Sequence, residues 1–174
     1  MNVLILNGSP RKGGSTERMA EAFAEGAREA GHRVTILPVG RMRINGCMGC
    51  ESCHTRGGGQ CVQRDDEAEV YAALAEAEVL VLASPIYYYT LSAQLQAALH
   101  RTYAVGIPPR VRQTALLLSS GSPGVYDAAI GQYRSAVVEY FGVRDLGVMT
   151  VNERENPVVR NLDALRAFGR SVGA

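Results

Sequence analysis

Five short apolar runs dictate what this chain can fold into: NVLILN (2–7), HRVTILPV (32–39), EVLVLASP (78–85), RQTALLLSSGSPG (112–124) and VRDLGVMTV (143–151). Each is too short for a buried helix and ends near Gly, Ser or Pro, which marks a strand followed by a turn. Stretches of helical spacing lie between them. Met19, Phe23, Ala27 and Ala30 form a stripe that Gly31 stops. Asp65 and Asp66 open a second helix, with Glu67 and Glu69 in its first turn. A third, from about Ser92 to Tyr103, presents Leu95, Leu99 and Tyr103 on one face. Tyr126, Ile130, Tyr133, Val137 and Tyr140 mark a fourth, stopped by Gly142, and Asn156-Pro157 reads as the cap and first residue of a last one. Uniformly apolar strands alternating with amphipathic helices predict an α/β fold, a doubly wound five-stranded parallel sheet with helices on both faces.

A chain of 174 residues without repeats or linkers reads as one domain, 1–174, carrying a cysteine-rich loop at 40–64. A formal net charge of +1 gives no reason to expect nucleic acid or membrane lipid as a partner. MNVLILNGSP is not a signal peptide and no apolar stretch suits a bilayer, so the expected location is cytoplasmic.

In doubly wound sheets ligands bind beyond the carboxyl ends of the strands, where the strand order reverses. Three loops are expected there. NGSPRKGGST (7–16) joins a strand to a helix through Gly8, Gly13 and Gly14, with Ser9, Ser15 and Thr16 as donors and Arg11 and Lys12 as charge. Glycines admit an anion to the backbone and a helix start attracts it, so a phosphate is the expected guest. The loop fits neither the nucleoside-triphosphate nor the dinucleotide fingerprint. SPIYYYT (84–90) offers a flat aromatic wall for a planar ring, and SSGSPG (119–124) offers small residues opposite.

NGSPRKGGST, ASPIYYYTLSAQLQAALHR and SSGSPG, in this order and spacing, resemble the NADPH-dependent FMN reductase and WrbA-like branch of the flavodoxin-like superfamily. The resemblance implies a flavodoxin-like fold that binds FMN. It implies that Ser9, Arg11, Ser15 and Thr16 hold the FMN phosphate. Pro85, Ile86, Tyr87 and Tyr88 would line the isoalloxazine, with Ser120, Gly121 and Gly124 at its other edge. It further implies NAD(P)H as co-substrate and a homodimer or homotetramer. Gln96 and His100-Arg101 depart from the family's usual Lys and Asp-Arg, residues that tend to lie near subunit contacts.

All four cysteines fall in one segment, GCMGCESCHTRGGGQC (46–61), spaced C-x2-C-x2-C-x7-C. In a reducing compartment such clustering points to metal or redox chemistry ahead of disulfides. The C-x2-C-x2-C run is the ferredoxin-like pattern for a [4Fe–4S] cluster on Cys47, Cys50, Cys53 and Cys61, although Val62 follows the last cysteine where such runs have proline. Zinc sites more often pair their cysteines. The segment resembles the compact cysteine motif of iron–sulfur flavoproteins, and equally the similar loop of relatives without an established cluster. Cys50 to Arg56 also spells the C-x5-R of phosphatases, but Gly57 stands where Ser or Thr belongs and no strand leads into Cys50.

The expected function is that of an FMN-dependent redox protein. As an iron–sulfur flavoprotein it would pass electrons between NAD(P)H or a reduced carrier such as ferredoxin and an acceptor through FMN and a [4Fe–4S] cluster, with no catalytic side chain required because the chemistry is the cofactor's. The alternatives are a cluster-free NAD(P)H-dependent FMN or quinone reductase and a non-enzymatic flavodoxin-like carrier or mononucleotide-binding module.

Overall fold

A computed structural model describes residues 1–174. The expected strands form, as β1 (Asn2–Asn7), β2 (Arg33–Leu37), β3 (Val79–Tyr87), β5 (Gln113–Ser120) and β6 (Arg144–Asn152), in the order β2-β1-β3-β5-β6. All neighbours in this path are parallel. A sixth strand, β4 (Thr90–Leu91), pairs antiparallel with the end of β3 and adds one short step to the expected five. The order reverses between β1 and β3, so the switch point lies above the carboxyl ends of these two strands.

The sheet has two apolar faces, each with its own helices. On one, α1 (Ser15–Glu29) and α6 (Leu162–Arg170) bury Met19, Phe23, Ala27 and Leu165 against Val3, Ile5, Val81 and Leu117. On the other, α3 (Glu67–Glu76), α4 (Ala93–Arg101) and α5 (Asp127–Tyr133) cover Leu4, Leu6, Leu80 and Leu116 with Val70, Leu74, Leu95 and Tyr133. Alternate residues of one strand thus serve both cores, which explains why the strands read as continuous apolar runs.

The helix pair α1 and α6 crosses backbone to backbone. A Cβ on Gly26 would lie 1.9 Å from the Arg166 carbonyl oxygen, and one on Gly169 would lie 2.0 Å from that of Phe23. No larger residue fits at either position without parting the helices.

Three expectations need correction. The last helix does not start at Asn156; a 3-10 turn, Val158–Arg160, comes first and α6 follows from Leu162. Asn152 and Asn156 bond each other's backbone, which holds Asn156 in a bridge and out of the cap. Tyr103 does not face the core: it falls in a 3-10 turn (Thr102–Ala104) after α4 and is 48% exposed. Tyr140 likewise stays exposed, because α5 widens into a π-helical stretch over Arg134–Glu139, which turns the stripe away from the sheet after Val137. No helix is long and apolar enough to cross a membrane.

Candidate functional site

The loop after β1 is built against its neighbours before any ligand is considered. Gly8 N–H donates to the Ala83 carbonyl of β3 (2.8 Å), and the Ser92 hydroxyl donates to the Gly8 carbonyl (2.8 Å). The Asn7 side chain accepts from Ser9 N–H (3.0 Å). Gly40 passes directly beneath: a Cβ there would lie 2.3 Å from the Ser9 carbonyl. Asn7, Ser92 and Gly40 are therefore structural parts of the loop that the sequence alone did not single out. Gly40's place just outside a strand was the one available hint.

Within the loop, Ser9 and Thr16 are buried and Ser15 is half-buried, while Arg11 and Lys12 stand exposed. Ser9 Oγ accepts from Arg11 N–H (3.2 Å), and the Thr16 hydroxyl bonds that of Ser119 (2.7 Å), linking α1 to the end of β5. Gly14 precedes α1 without a side-chain cap, so Ser15 is inside the helix and not its cap. Two donors of the loop face carboxylates: Gly13 N–H donates to Glu17, and the Ser15 hydroxyl donates to Glu153. The Gly13 N–H and the Arg41 guanidinium (2.7 Å) hold the Glu17 carboxyl below the usual carboxylate range. Donors that each meet a carboxylate oxygen also suit phosphate oxygens, so this loop fits the phosphate of a mononucleotide. The Asn7 amide nitrogen, buried and without a partner beside the loop, is a further unused donor.

Beyond β3, Ile86, Tyr88 and Tyr89 face Ser120, Gly121, Ser122 and Val125 across a shallow cleft of about 220 Å³. It unites Ile86, Tyr88, Ser120 and Gly121 of the expected ring-binding set and adds Tyr89. Pro85 is buried in β3, and neither it nor Tyr87 or Gly124 borders the cleft. Tyr88 (φ 47°) and Tyr89 (φ 64°) both adopt the left-handed region, which is uncommon for side chains of this size and costs of order 1–3 kcal/mol each. The strain presents three consecutive aromatic rings to solvent, with Tyr88 98% exposed.

The cysteine loop departs from β2 and returns to α3. Gly49 and Glu51 take left-handed conformations, and a single helical turn, α2 (Ser52–Thr55), follows. These turns bring Cys47, Cys50, Cys53 and Cys61 to the wall of one small cavity, all four as free thiols. Gly49 N–H points at Cys47 Sγ (3.4 Å), and the Ser52 N–H and hydroxyl lower the Cys50 pKa by stabilising its thiolate. His54 and Tyr103 pack edge to face, and Tyr103 donates to Glu51, so the outer rim of the loop rests on the turn after α4. Four thiols around one cavity, with N–H groups aimed at sulfur, fit the donor set of an iron–sulfur cluster. No three His, Cys, Asp or Glu side chains are grouped around a point where a single ion would sit.

Both ends of this loop are fastened by one buried ion pair. Arg101 donates to both carboxylate oxygens of Asp65 (2.8 and 3.1 Å) and to the Asn45 carbonyl (2.9 Å), while Asp65 also accepts from Asn45 N–H (3.0 Å). Burial opposes its ionisation, but Arg101 and the Asn45 N–H outweigh burial and keep Asp65 charged. Glu67 sits next to this pair with no accessible surface and no partner for either oxygen. Its burial, reinforced by Asp65 and only partly opposed by Arg101, pushes its pKa up to about 8.

A doubly wound sheet with a phosphate-type loop at its switch point, flanked by an aromatic cleft, is a flavodoxin-like architecture. The chain belongs to the NADPH-dependent FMN reductase family, whose model matches residues 1–157. An iron-sulfur flavoprotein of Archaeoglobus fulgidus is 30% identical over 143 residues, covering 82% of this chain and 56% of that protein. An iron-sulfur flavoprotein of Methanosarcina thermophila is 31% identical over 102 residues, covering 59% and 52%. The chain thus spans about half the length of the curated relatives it matches. Among solved structures, the NAD(P)H:quinone oxidoreductase of Methanothermobacter marburgensis superposes over 100% of this chain and 96% of its own, with a TM-score of 0.78 at 20% identity, a likeness of fold.

Proposed function

We propose that this chain is a single-domain cytoplasmic FMN-dependent oxidoreductase of the iron–sulfur flavoprotein type. It takes electrons from NAD(P)H or a reduced carrier protein and delivers them to a small-molecule or protein acceptor. The observation that carries this reading is the convergence of four free thiols on one cavity, in a chain whose switch-point loop has the donors of a phosphate site. FMN, when bound, supplies the hydride and one-electron chemistry.

The chain's own residues bind and orient. Ser9, Ser15, Thr16 and the Gly13 N–H hold the phosphate, with Arg11 adding charge. Ile86 and Tyr88 flank the ring, Pro85 and Tyr87 hold the strand end that carries them, and Ser120, Gly121 and Gly124 form the facing turn. Cys47, Cys50, Cys53 and Cys61 are the ligands of a [4Fe–4S] cluster, and Asp65 and Arg101 keep their loop folded. Assembly as a homodimer or homotetramer belongs to this reading.

One observation favours a second reading. The Cys50 thiolate, stabilised by the Ser52 N–H and hydroxyl, suits a thiol that acts as a thiol, in a cluster-free NAD(P)H-dependent FMN or quinone reductase. Purification without oxygen, followed by iron, acid-labile sulfide and FMN analysis, separates the two. Iron and sulfide near four each with about one FMN per chain is the expected result. FMN alone selects the cluster-free reductase, and no NAD(P)H oxidation with added FMN leaves a mononucleotide-binding module.

A further inference from the structure

Two carboxylates reach the phosphate-type loop, and their charges are handled differently. Glu17 belongs to the first turn of α1, and its charge is matched by Arg41 at 2.7 Å. Glu153 comes from the far end of the chain, 138 residues on, just past β6. It accepts the Ser15 hydroxyl and takes part in none of the six ion pairs of the structure. Its backbone N–H is tied to the Ser120 carbonyl (3.2 Å), the turn that borders the aromatic cleft. A carboxylate that no ion pair engages thus occupies a donor at the start of a helix, where a phosphate would otherwise sit.

We propose that Glu153 is a displaceable latch on the phosphate loop, a residue that sets how tightly this chain holds a phosphorylated flavin. The inference rests on the assignment of this loop to the FMN phosphate. In the latched state the Ser15 hydroxyl is taken and a dianionic phosphate meets a carboxylate. Binding therefore requires Glu153 to leave, and the apparent affinity falls by the fraction of molecules in which it has left. No covalent step is involved: one hydrogen bond to a carboxylate is exchanged for one to a phosphate. The latch makes the flavin exchangeable, as a flavin that is released and recaptured must be. The penalty falls on the phosphate alone, so it discriminates FMN from riboflavin, which shares the ring and lacks the charge.

The test measures FMN and riboflavin binding to the full chain by flavin fluorescence, as equilibrium affinity and as dissociation rate. Glu153→Gln and Glu153→Ala should each bind FMN roughly two- to thirtyfold tighter, the range for a charge at a helix start. They should release it more slowly and leave riboflavin affinity unchanged. Wild-type FMN affinity and release in both variants would overturn the latch, as would equal gains for FMN and riboflavin. Ser15→Asp serves as the separate check on the site itself and should weaken FMN at least tenfold while sparing riboflavin. Should Ser15→Asp bind FMN as wild type does, the phosphate assignment fails and the latch falls with it.

Discussion

Asp65 and Arg101 lie thirty-six residues apart and meet as a two-toothed ion pair whose side chains are only 2% and 1% exposed. The pair is more than a surface contact, because each partner also bonds Asn45, at the opposite end of the cysteine loop. Breaking one side of a buried pair strands the other charge and costs roughly 3–5 kcal/mol. Arg101→Met should lower the unfolding free energy by about that amount in denaturant titration. A loss below about 1 kcal/mol, within the range of exposed pairs, would show the clamp to be dispensable.

Glu67 gives a stability that depends on pH in a specified direction. Its carboxyl titrates near its ordinary value of about 4.3 in the unfolded chain and at about 8 in the folded one. The folded state therefore binds the proton more tightly, and stability contributed by this group is full below about pH 4.3. It falls as pH rises toward 8 and is level beyond. Glu67→Met removes both the titration and two unpartnered buried oxygens. The variant should gain roughly 2–4 kcal/mol at neutral pH, and its advantage should shrink on acidification. Melting curves from pH 4 to pH 9 read this directly; an advantage that is constant across the range would contradict the assignment.

Gly40→Ala tests the support beneath the phosphate loop. The added methyl would meet the Ser9 backbone at 2.3 Å, so the loop must move. The cost in stability should be of the order of 1–3 kcal/mol, as for other overpacked sites. The larger effect should be on FMN affinity, with a fall of tenfold or more. Retained affinity would mean that the loop tolerates displacement and does not owe its geometry to Gly40.

Cys50→Ala separates the two candidate centres. FMN content should match the unaltered chain while iron and sulfide fall to background. Iron at full occupancy would remove Cys50 from the ligand set.

The elements that the sequence made legible are those whose burial is regular. β1, β3 and β5 serve a core on each side and so read as unbroken apolar runs, and α1 carries its stripe on a single face. The parts that stayed hidden depend on contacts distant in the chain. Asp65 read as the opening of a helix and Arg101 only as part of a pair near family subunit contacts, because nothing local reveals that they meet. Tyr103 continued the periodicity of α4 but falls where the helix tightens to a 3-10 turn, and a change of pitch leaves no mark on composition. The three tyrosines 87–89 pointed to a flat wall, whereas the left-handed backbone at Tyr88 and Tyr89 could not be read from side chains that normally avoid it. The loop after β1 was singled out through its glycines and hydroxyls. The carboxylates that occupy its donors were not, since one of them lies 138 residues away.

The crossing of α1 and α6 at Gly26 and Gly169 has a consequence for where this protein can be cut. The family match ends at residue 157, before α6 begins at Leu162. Homology would therefore suggest a minimal fragment without the last helix. Such a fragment would lay bare one whole side of α1, including the strip where two backbones now touch, together with the part of the core that Leu165 and Val172 close. The boundary drawn by ancestry and the boundary required for a sealed core differ here by one helix, and a fragment trimmed to the first is expected to aggregate.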